Sequence, residues 1–558
     1  MTGPGWFGGC APGMRVAPVG AHSVWSDPPL WTMGTDEGVH AVKQGAERLA
    51  VFGPCSATDL DMLHALASDD LGAAVRVWAG SFVAVRARNV GLVEVVTDAS
   101  GAAPVYTVST SGGVVWGSSA RALAFLSTGD VDTDWLAAYL RDRSAPLVRR
   151  TAWKGVHPVP AGSILTLRSG ADASLAQWWS PPQQSPREAA FALRCALTDG
   201  IRVRVEGVVA TSDLAGMDST TVTLLAARYG PITGITLHPA GAEDGGDMRY
   251  ARLLTGPHLR RTCLPLARRH LPFASGEFPL PATDEPAPST PSWALFSGQM
   301  EAVAHAGTEA HLTGDGGDNL FTAPPTYLLN LVRSGRLLQV LTDAMDWSRL
   351  RKQNPRPLIV AALRRDAAYI GRNRRPRPTW LTADVPELPN TTDDANAVLA
   401  ASVRTVARSA NADVQLAAAL GVPLHNPYFD GAVLDAVLSA SPEQRCSIGR
   451  YKPLLADTFA DVLPQAHRER PTKGVFVGDF HRGVRANLPR LLALADGRLA
   501  GMGLVDPGPL RAAMHAAGLG ARTVWPPLLS AFAAECWLDA VGRAERIRWD
   551  ASTGGGAR

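Results

Sequence analysis

The sequence predicts an α/β chain of two domains: an antiparallel, β-rich N-terminal domain and a C-terminal domain built on a parallel sheet with many added helices. Three observations lead there. The chain has 558 residues, too many for one core and enough for two or three at roughly 100–200 residues each. Up to about Ser180, short alternating or β-branched runs follow one another closely; beyond Pro186, strand-like and helix-like segments alternate. The composition, 46% hydrophobic and 19% charged with a formal net charge of +3, excludes collagen-like, coiled-coil and wholly disordered chains and leaves nucleic-acid binding undecided.

In the first domain, residues 1–180, the runs 81–85, 93–96 and 113–116 read as strands, separated by turn residues at 98–101 and 111–112. The proline-rich stretch 178–186 reads as a linker. The second domain, 187–550, opens with a helix over 187–199, a strand over 203–211, a helix from Ser219 towards Tyr229 and a strand over 232–237. Strand, helix and strand in that order imply a parallel sheet, with ligands beyond the carboxyl ends of its strands. Residues 552–558 read as a frayed tail. No stretch approaches the ~20 uninterrupted apolar residues of a membrane span, and the Gly/Pro-rich start lacks signal-peptide order. Cys10, Cys55, Cys195, Cys263, Cys446 and Cys536 stand singly, without CxxC or zinc spacing, and the histidines show no metal pairing. The expectation is a soluble cytoplasmic protein with reduced, mostly structural cysteines and no transition metal.

Two segments carry chemistry. Ser212-Asp213-Leu214-Ala215-Gly216-Met217-Asp218-Ser219-Thr220 follows a strand and opens a helix. Such a turn aims backbone N–H groups at an anion, and Asp218 would hold a magnesium ion bridging phosphates. An ordinary turn with Asp and Ser as caps would read the same way. Leu312-Thr313-Gly314-Asp315-Gly316-Gly317-Asp318 is the second. Its glycines let backbone approach a pyrophosphate, and Asp318 offers a second hard oxygen ligand. Two glycine turns about a hundred residues apart, each ending in Asp, are far more specific than one, and would face each other across one triphosphate.

These segments resemble the pyrophosphatase loop and second magnesium motif of the asparagine synthetase superfamily. The likeness continues through Asp284-Glu285-Pro286, Asn426-Pro427-Tyr428-Phe429-Asp430, Tyr451-Lys452-Pro453-Leu454 and Arg470-Pro471-Thr472-Lys473-Gly474. It reaches the first domain through Asp98, Gly101, Pro104, Tyr106 and the stretch 153–162. The resemblance implies a glutaminase-like (Ntn-type) sandwich followed by an adenine-nucleotide α-hydrolase (PP-loop) sheet. It implies ATP and Mg2+ as cofactors, metal ligands Asp218 and Asp318, and nucleotide contacts from Ser212, Gly216, Asp218, Ser219, Leu237, Thr313, Gly314, Asp315, Gly316, Gly317 and Asp318. Lys473 would stabilise developing negative charge. Lys452 would touch phosphate or anchor a helix, both readings being open, and Arg470 would contact phosphate.

Within the superfamily the sequence is most similar to lasso peptide macrocyclases. Those enzymes adenylate an Asp or Glu side chain of a core peptide and join it to the peptide's N-terminal amine. The partners implied are a precursor core peptide, a leader-binding protein and a leader peptidase. The alternatives are a β-lactam-synthetase-like enzyme acting on a small substrate, a non-catalytic peptide-binding scaffold and a tRNA-modifying ATP pyrophosphatase. The usual loop is Ser-Gly-Gly-x-Asp-Ser, so Leu214 and Ala215 fall where Ser and the first Gly belong; a second register makes Ser212 the loop serine. Met1 is followed by Thr2-Gly3-Pro4, and Cys10 is not terminal, so the first domain is expected to be silent towards glutamine. Pro423-Leu424-His425-Asn426 replaces the acidic-Ala-Arg tripeptide of asparagine synthetases, which argues against free aspartate. The arginine-rich stretch 349–377 is either a solvated surface or a docking surface; it has few aromatics, so no nucleic-acid partner is expected.

Overall fold

A computed structural model describes residues 5–551 except 35–38, 89–90, 144–148, 184, 240–245, 323–324, 372–376, 384, 386–393 and 471–476. The N-terminal half is two antiparallel six-stranded sheets. One runs Val156–Pro158, Tyr106–Thr110, Gly113–Gly117, Trp6–Cys10, Pro29–Met33, His22–Ser26. The other runs Ser174–Gln177, Ser163–Arg168, Leu92–Val96, Val83–Arg88, Glu47–Phe52, Val39–Gln44. The central strand Val83–Arg88 shows why they stack. With side chains alternating between faces, Val83, Val85 and Ala87 enter the core shared with Leu30 and Trp116 of the first sheet, while Ala84 turns towards helix Asp59–Ala67 on the outer face. Phe7 and Phe52 stack across the two sheets with ring centroids 4.0 Å apart. Helix Thr133–Arg141 covers the first sheet and shares its core with helix Trp525–Arg543 near the chain's far end.

The C-terminal half contains a five-stranded sheet in the order Leu259–Leu266, Ile232–Pro239, Ala210–Asp213, Ala310–Leu312, Leu424–His425, every pairing parallel. Ala210–Asp213 is central. The next strand along the chain, Ile232–Pro239, lies on one side of it and the later Ala310–Leu312 on the other, which opens a crevice at the carboxyl ends.

Two expectations need correction. Val203, Arg204 and Val205 belong to helix Ala189–Val205, and the strand is the shorter Ala210–Asp213. Leu193, Leu197, Ile201 and Val205 recur every four residues and are all buried, so the helical period runs through the β-branched stretch. The stretch 178–186 is no free linker at its start: Trp179 is buried and donates its indole N–H to Asp435 at 2.8 Å. Among the described residues no helix is long and apolar enough to cross a membrane, and no cysteine is paired in a disulfide.

Candidate functional site

The two sequence-predicted turns meet at the carboxyl edge of the sheet. Strand Ala210–Asp213 ends in a turn, and helix Met217–Ala226 begins with Gly216 as its N-cap, so Asp218 sits in the first helical turn, almost buried. Leu214 donates its N–H to the Ile235 carbonyl at 2.8 Å. Its side chain packs beneath Gly234, where a Cβ would come within 2.6 Å of Leu214 Cδ2. The bulky residue at the usual serine position is thus accommodated inward, and the open side of the turn is backbone. Ser212 is fully buried; its hydroxyl donates to the Asp213 carbonyl at 3.0 Å and accepts from Thr223 Oγ1 at 2.9 Å. That places it behind the turn, against the helix. Leu237 lies on strand Ile232–Pro239, next to Thr236, which donates to the Leu214 carbonyl at 2.5 Å.

Strand Ala310–Leu312 leads into the second turn. Thr313 donates its hydroxyl to Asn426 Oδ1 at 2.6 Å and accepts from the Asp315 N–H at 3.1 Å, which fixes the start of the loop. Gly316 has φ +95, a left-handed conformation open to glycine, and its missing Cβ leaves room for the Phe429 ring. The two turns touch. A Cβ on Gly314 would lie 2.7 Å from the Ser219 nitrogen, and one on Gly317 would lie 2.7 Å from Asp218 Oδ1. Glycine is required here by close approach.

Lys452 closes the site. Buried, with φ +47 at the N-cap of helix Pro453–Thr458, it directs Nζ at Asp218 Oδ2 and, at 2.6 Å, at Asp318 Oδ1. Tyr451 donates its hydroxyl to the same Asp318 oxygen at 3.1 Å, and Tyr428 donates to the Asp218 carbonyl at 3.1 Å. Arg470 is buried and pairs with Asp247, donates to the Ala215 carbonyl at 3.1 Å and stacks on the Tyr250 ring at 4.4 Å. It braces the back of the first turn. Beside it His467 is buried with neither ring nitrogen hydrogen-bonded, and desolvation together with Arg470 pushes it down to about 4. Lys473 lies outside the described residues.

Sequence reasoning missed Tyr428 and Tyr451 as individual contacts, His467, and the network behind the first turn. There Gln299 donates to Asp213 Oδ1 at 2.6 Å, while His311 stands 3.4 Å from that oxygen and 2.8 Å from Thr211 Oγ1. No local motif marks these residues; their partners are distant in sequence. Asp284 is a joint between halves: Ser119 Oγ and the Arg121 N–H donate to Oδ1, both at 2.8 Å, and Gln415 donates to Oδ2 at 2.7 Å. Glu285 pairs with Arg408 at 3.1 Å.

Among the described residues no three His, Cys, Asp or Glu side chains are placed to hold a metal. Magnesium, however, is ordinarily held by one or two protein carboxylates plus substrate phosphates. Asp218 and Asp318, already converged on one cation, fit that donor set.

A parallel sheet with two carboxylate-bearing glycine turns meeting at its topological switch point defines an α/β protein of the class that receives a nucleotide's phosphates there. The chain belongs to the asparagine synthase family, whose profile matches residues 193–539. ATP-dependent amide-bond formation is the chemistry of that family, which uses ATP, typically with Mg2+. No curated protein matches the chain. Among solved structures, it aligns with the allosteric regulatory enzyme of purine biosynthesis at 8% identity, covering 49% of this chain and 76% of that one, with a TM-score of 0.21. It aligns with glutamine phosphoribosylpyrophosphate amidotransferase from B. subtilis, complexed with ADP and GMP, at 10% identity, covering 56% and 76%, with a TM-score of 0.22.

Proposed function

We propose that the chain is an ATP-dependent lasso peptide macrolactam cyclase. It activates an Asp or Glu side-chain carboxylate of a core peptide as the acyl-adenylate, releasing pyrophosphate, and joins that carbon to the peptide's N-terminal amine, releasing AMP. A leader-binding protein and a leader peptidase would deliver the core peptide. The observation that carries the adenylation reading is the convergence of Asp218 and Asp318, from two separate turns, on one buried ammonium.

In this reading backbone N–H groups of the two turns, 216–219 and Gly314 and Gly316 of the second, cradle the phosphates, and Asp218 and Asp318 would hold magnesium. Magnesium, when bound, neutralises phosphate charge. Lys452 holds the two carboxylates together, Arg470 fixes the first turn from behind, and Lys473 stabilises charge on the reacting centre. Two observations support an internal peptide amine over ammonia and free aspartate. Cys10 is buried and burial pushes its thiol up, so it offers no thiolate for glutamine hydrolysis. The stretch Pro423-Leu424-His425-Asn426, which replaces the acidic-Ala-Arg tripeptide, offers no arginine to an amino acid's carboxylate. Closing a ring of about eight residues costs only about 2 kcal/mol of loop entropy; shaping the thread is the enzyme's larger task.

The test is incubation of the chain with ATP, Mg2+ and a core peptide with a free N-terminus, read by mass spectrometry and AMP release. Loss of one water with resistance to carboxypeptidase, reduced by about a hundredfold or more in Asp218→Ala and Asp318→Ala, is the expected outcome. One observation favours a second reading, a non-catalytic scaffold: the Lys452 ammonium occupies the point the two carboxylates share. Peptide-dependent AMP formation excludes the scaffold, and its absence with every peptide excludes the cyclase.

A further inference from the structure

Helix Leu337–Arg351 buries one apolar side and bares another. Val340, Ala344 and Ser348, four residues apart, face a small separate core with Leu328 and Ala362. On another side Leu338 is 82% exposed, Leu341 38% and Met345 39%. Spacings of three and four put these in one stripe, which Arg349 prolongs by a turn; Lys352, left-handed at φ +53, caps the helix just beyond it. Among the described residues no other stretch of similar length bares as many large apolar side chains; Leu350, Val360 and Leu363 lie on the same stretch of chain. A helix apolar on more than one side is ordinarily covered on both.

The charge around the stripe is predominantly of one sign, Arg336 at the helix start being paired with Glu443 at 2.8 Å. Residues 333–365 hold eight arginines and lysines against two aspartates, whereas the whole chain is nearly balanced at 54 against 51. Both aspartates are engaged: Asp343 accepts from the Tyr327 hydroxyl at 2.9 Å, and Asp346 accepts from Arg349 at 2.8 Å. We propose that this face docks an acidic amphipathic helix of another protein. Its apolar side chains lie along Leu338, Leu341 and Met345, and its carboxylates meet Arg349, Lys352 and the arginines of the neighbouring helix Pro355–Leu363 and its end.

The observations favour this occupant over the others. A second copy in two-fold contact would set the same positive surface against itself. Helices that lie in a membrane surface present aromatic side chains on a broad apolar face; here Trp347 is half-buried beneath the Arg351 guanidinium, 4.9 Å from its ring centroid, and the stripe is three residues long. The surface is separate from the glycine turns, so the inference does not depend on which amide the site makes.

The test uses the full chain and a fluorescent synthetic helix of about 18 residues, five turns, with leucines at helical spacing and glutamates elsewhere, alongside the same peptide with lysine for each glutamate. By anisotropy the glutamate probe binds and the lysine probe does not. Leu338→Glu, Met345→Glu and the double change Arg349→Glu with Lys352→Glu each weaken binding by about tenfold or more, with unchanged thermal midpoints because all these positions are exposed. Equal binding of the two probes, or indifference to the three variants, overturns the inference. So does binding of phosphatidylserine-containing vesicles in place of the peptide, or a dimer in sedimentation that Leu338→Glu dissociates.

Discussion

Replacing Lys452 with methionine isolates the charge at the centre of the site, because methionine keeps an unbranched apolar stem of similar length and lacks the ammonium. The Lys452 side chain is 0% exposed, that of Asp218 11% and that of Asp318 47%. Removing one member of a buried pair costs about 3–5 kcal/mol; a half-exposed pair counts for about 0–1 kcal/mol. The Asp218 contact therefore dominates, and we expect a loss of about 3 kcal/mol. At about 2 °C per kcal/mol for a large domain, the unfolding midpoint of the synthase half falls by about 6 °C, measured by circular dichroism at neutral pH. Two further arms identify the cause. Asp218→Asn added to Lys452→Met costs less than the two single changes summed, since both remove the same interaction. Magnesium raises the midpoint of the Lys452→Met variant more than that of the wild type, because a divalent cation can take the ammonium's place between the carboxylates. A variant within about 1 °C of the wild type, or equal responses to magnesium, would refute the reasoning.

Gly317→Ala places a Cβ 2.7 Å from Asp218 Oδ1, so the carboxylate must move. We expect ATP-dependent pyrophosphate release to fall by about tenfold or more with a native circular dichroism spectrum; full activity would mean the turns do not act together. Asp413, buried on helix Ala395–Ala419 and accepting from the Ser289 N–H at 3.0 Å, is pushed up to about 7, mainly by desolvation. Its folded value lies above its unfolded one, so its contribution to stability is complete below about pH 4 and is lost as pH rises to about 7. Relative to the wild type, Asp413→Asn therefore gains stability between those limits, by up to about 4 kcal/mol. Parallel midpoints across that range would contradict the assignment.

The sequence carried the site further than it carried the elements around it. Both glycine turns were legible because glycine and aspartate at fixed spacing have few other uses, and the backbone meets them where expected. The boundary before the first turn was misplaced because Val203-Arg204-Val205 is β-branched locally, while its burial follows the four-residue period of the helix. Lys452 stood open between phosphate contact and helix anchor. Its bridge to Asp218 and Asp318 joins three segments, and no local pattern encodes that. His467 and Asp413 were invisible for the same reason: their titration is set by neighbours brought up from elsewhere in the chain.

The N-terminal half acts on the site mechanically, whether or not it hydrolyses glutamine. Asp430 has a side chain 0% exposed and accepts from Arg204 at 2.8 and 2.6 Å; the Ser81 hydroxyl of the N-terminal half donates to it at 2.7 Å. One residue earlier, the carbonyl of Phe429 accepts from the Ser100 hydroxyl, and the Phe429 ring fills the space beside Gly316. On another front Trp153 donates its indole N–H to the Asp284 carbonyl at 2.8 Å, and Asp284 is tied through Gln415 to helix Ala395–Ala419, which packs on the short helix Gly317–Phe321 carrying Asp318. Buried carboxylates of this kind are tolerable only while their partners are present. The turns flanking the strands of the two N-terminal sheets, which supply Ser81, Ser100, Ser119 and Trp153, are therefore part of the support of the second glycine turn, and a change at any of the four transmits to the position of Asp318 through two or three contacts.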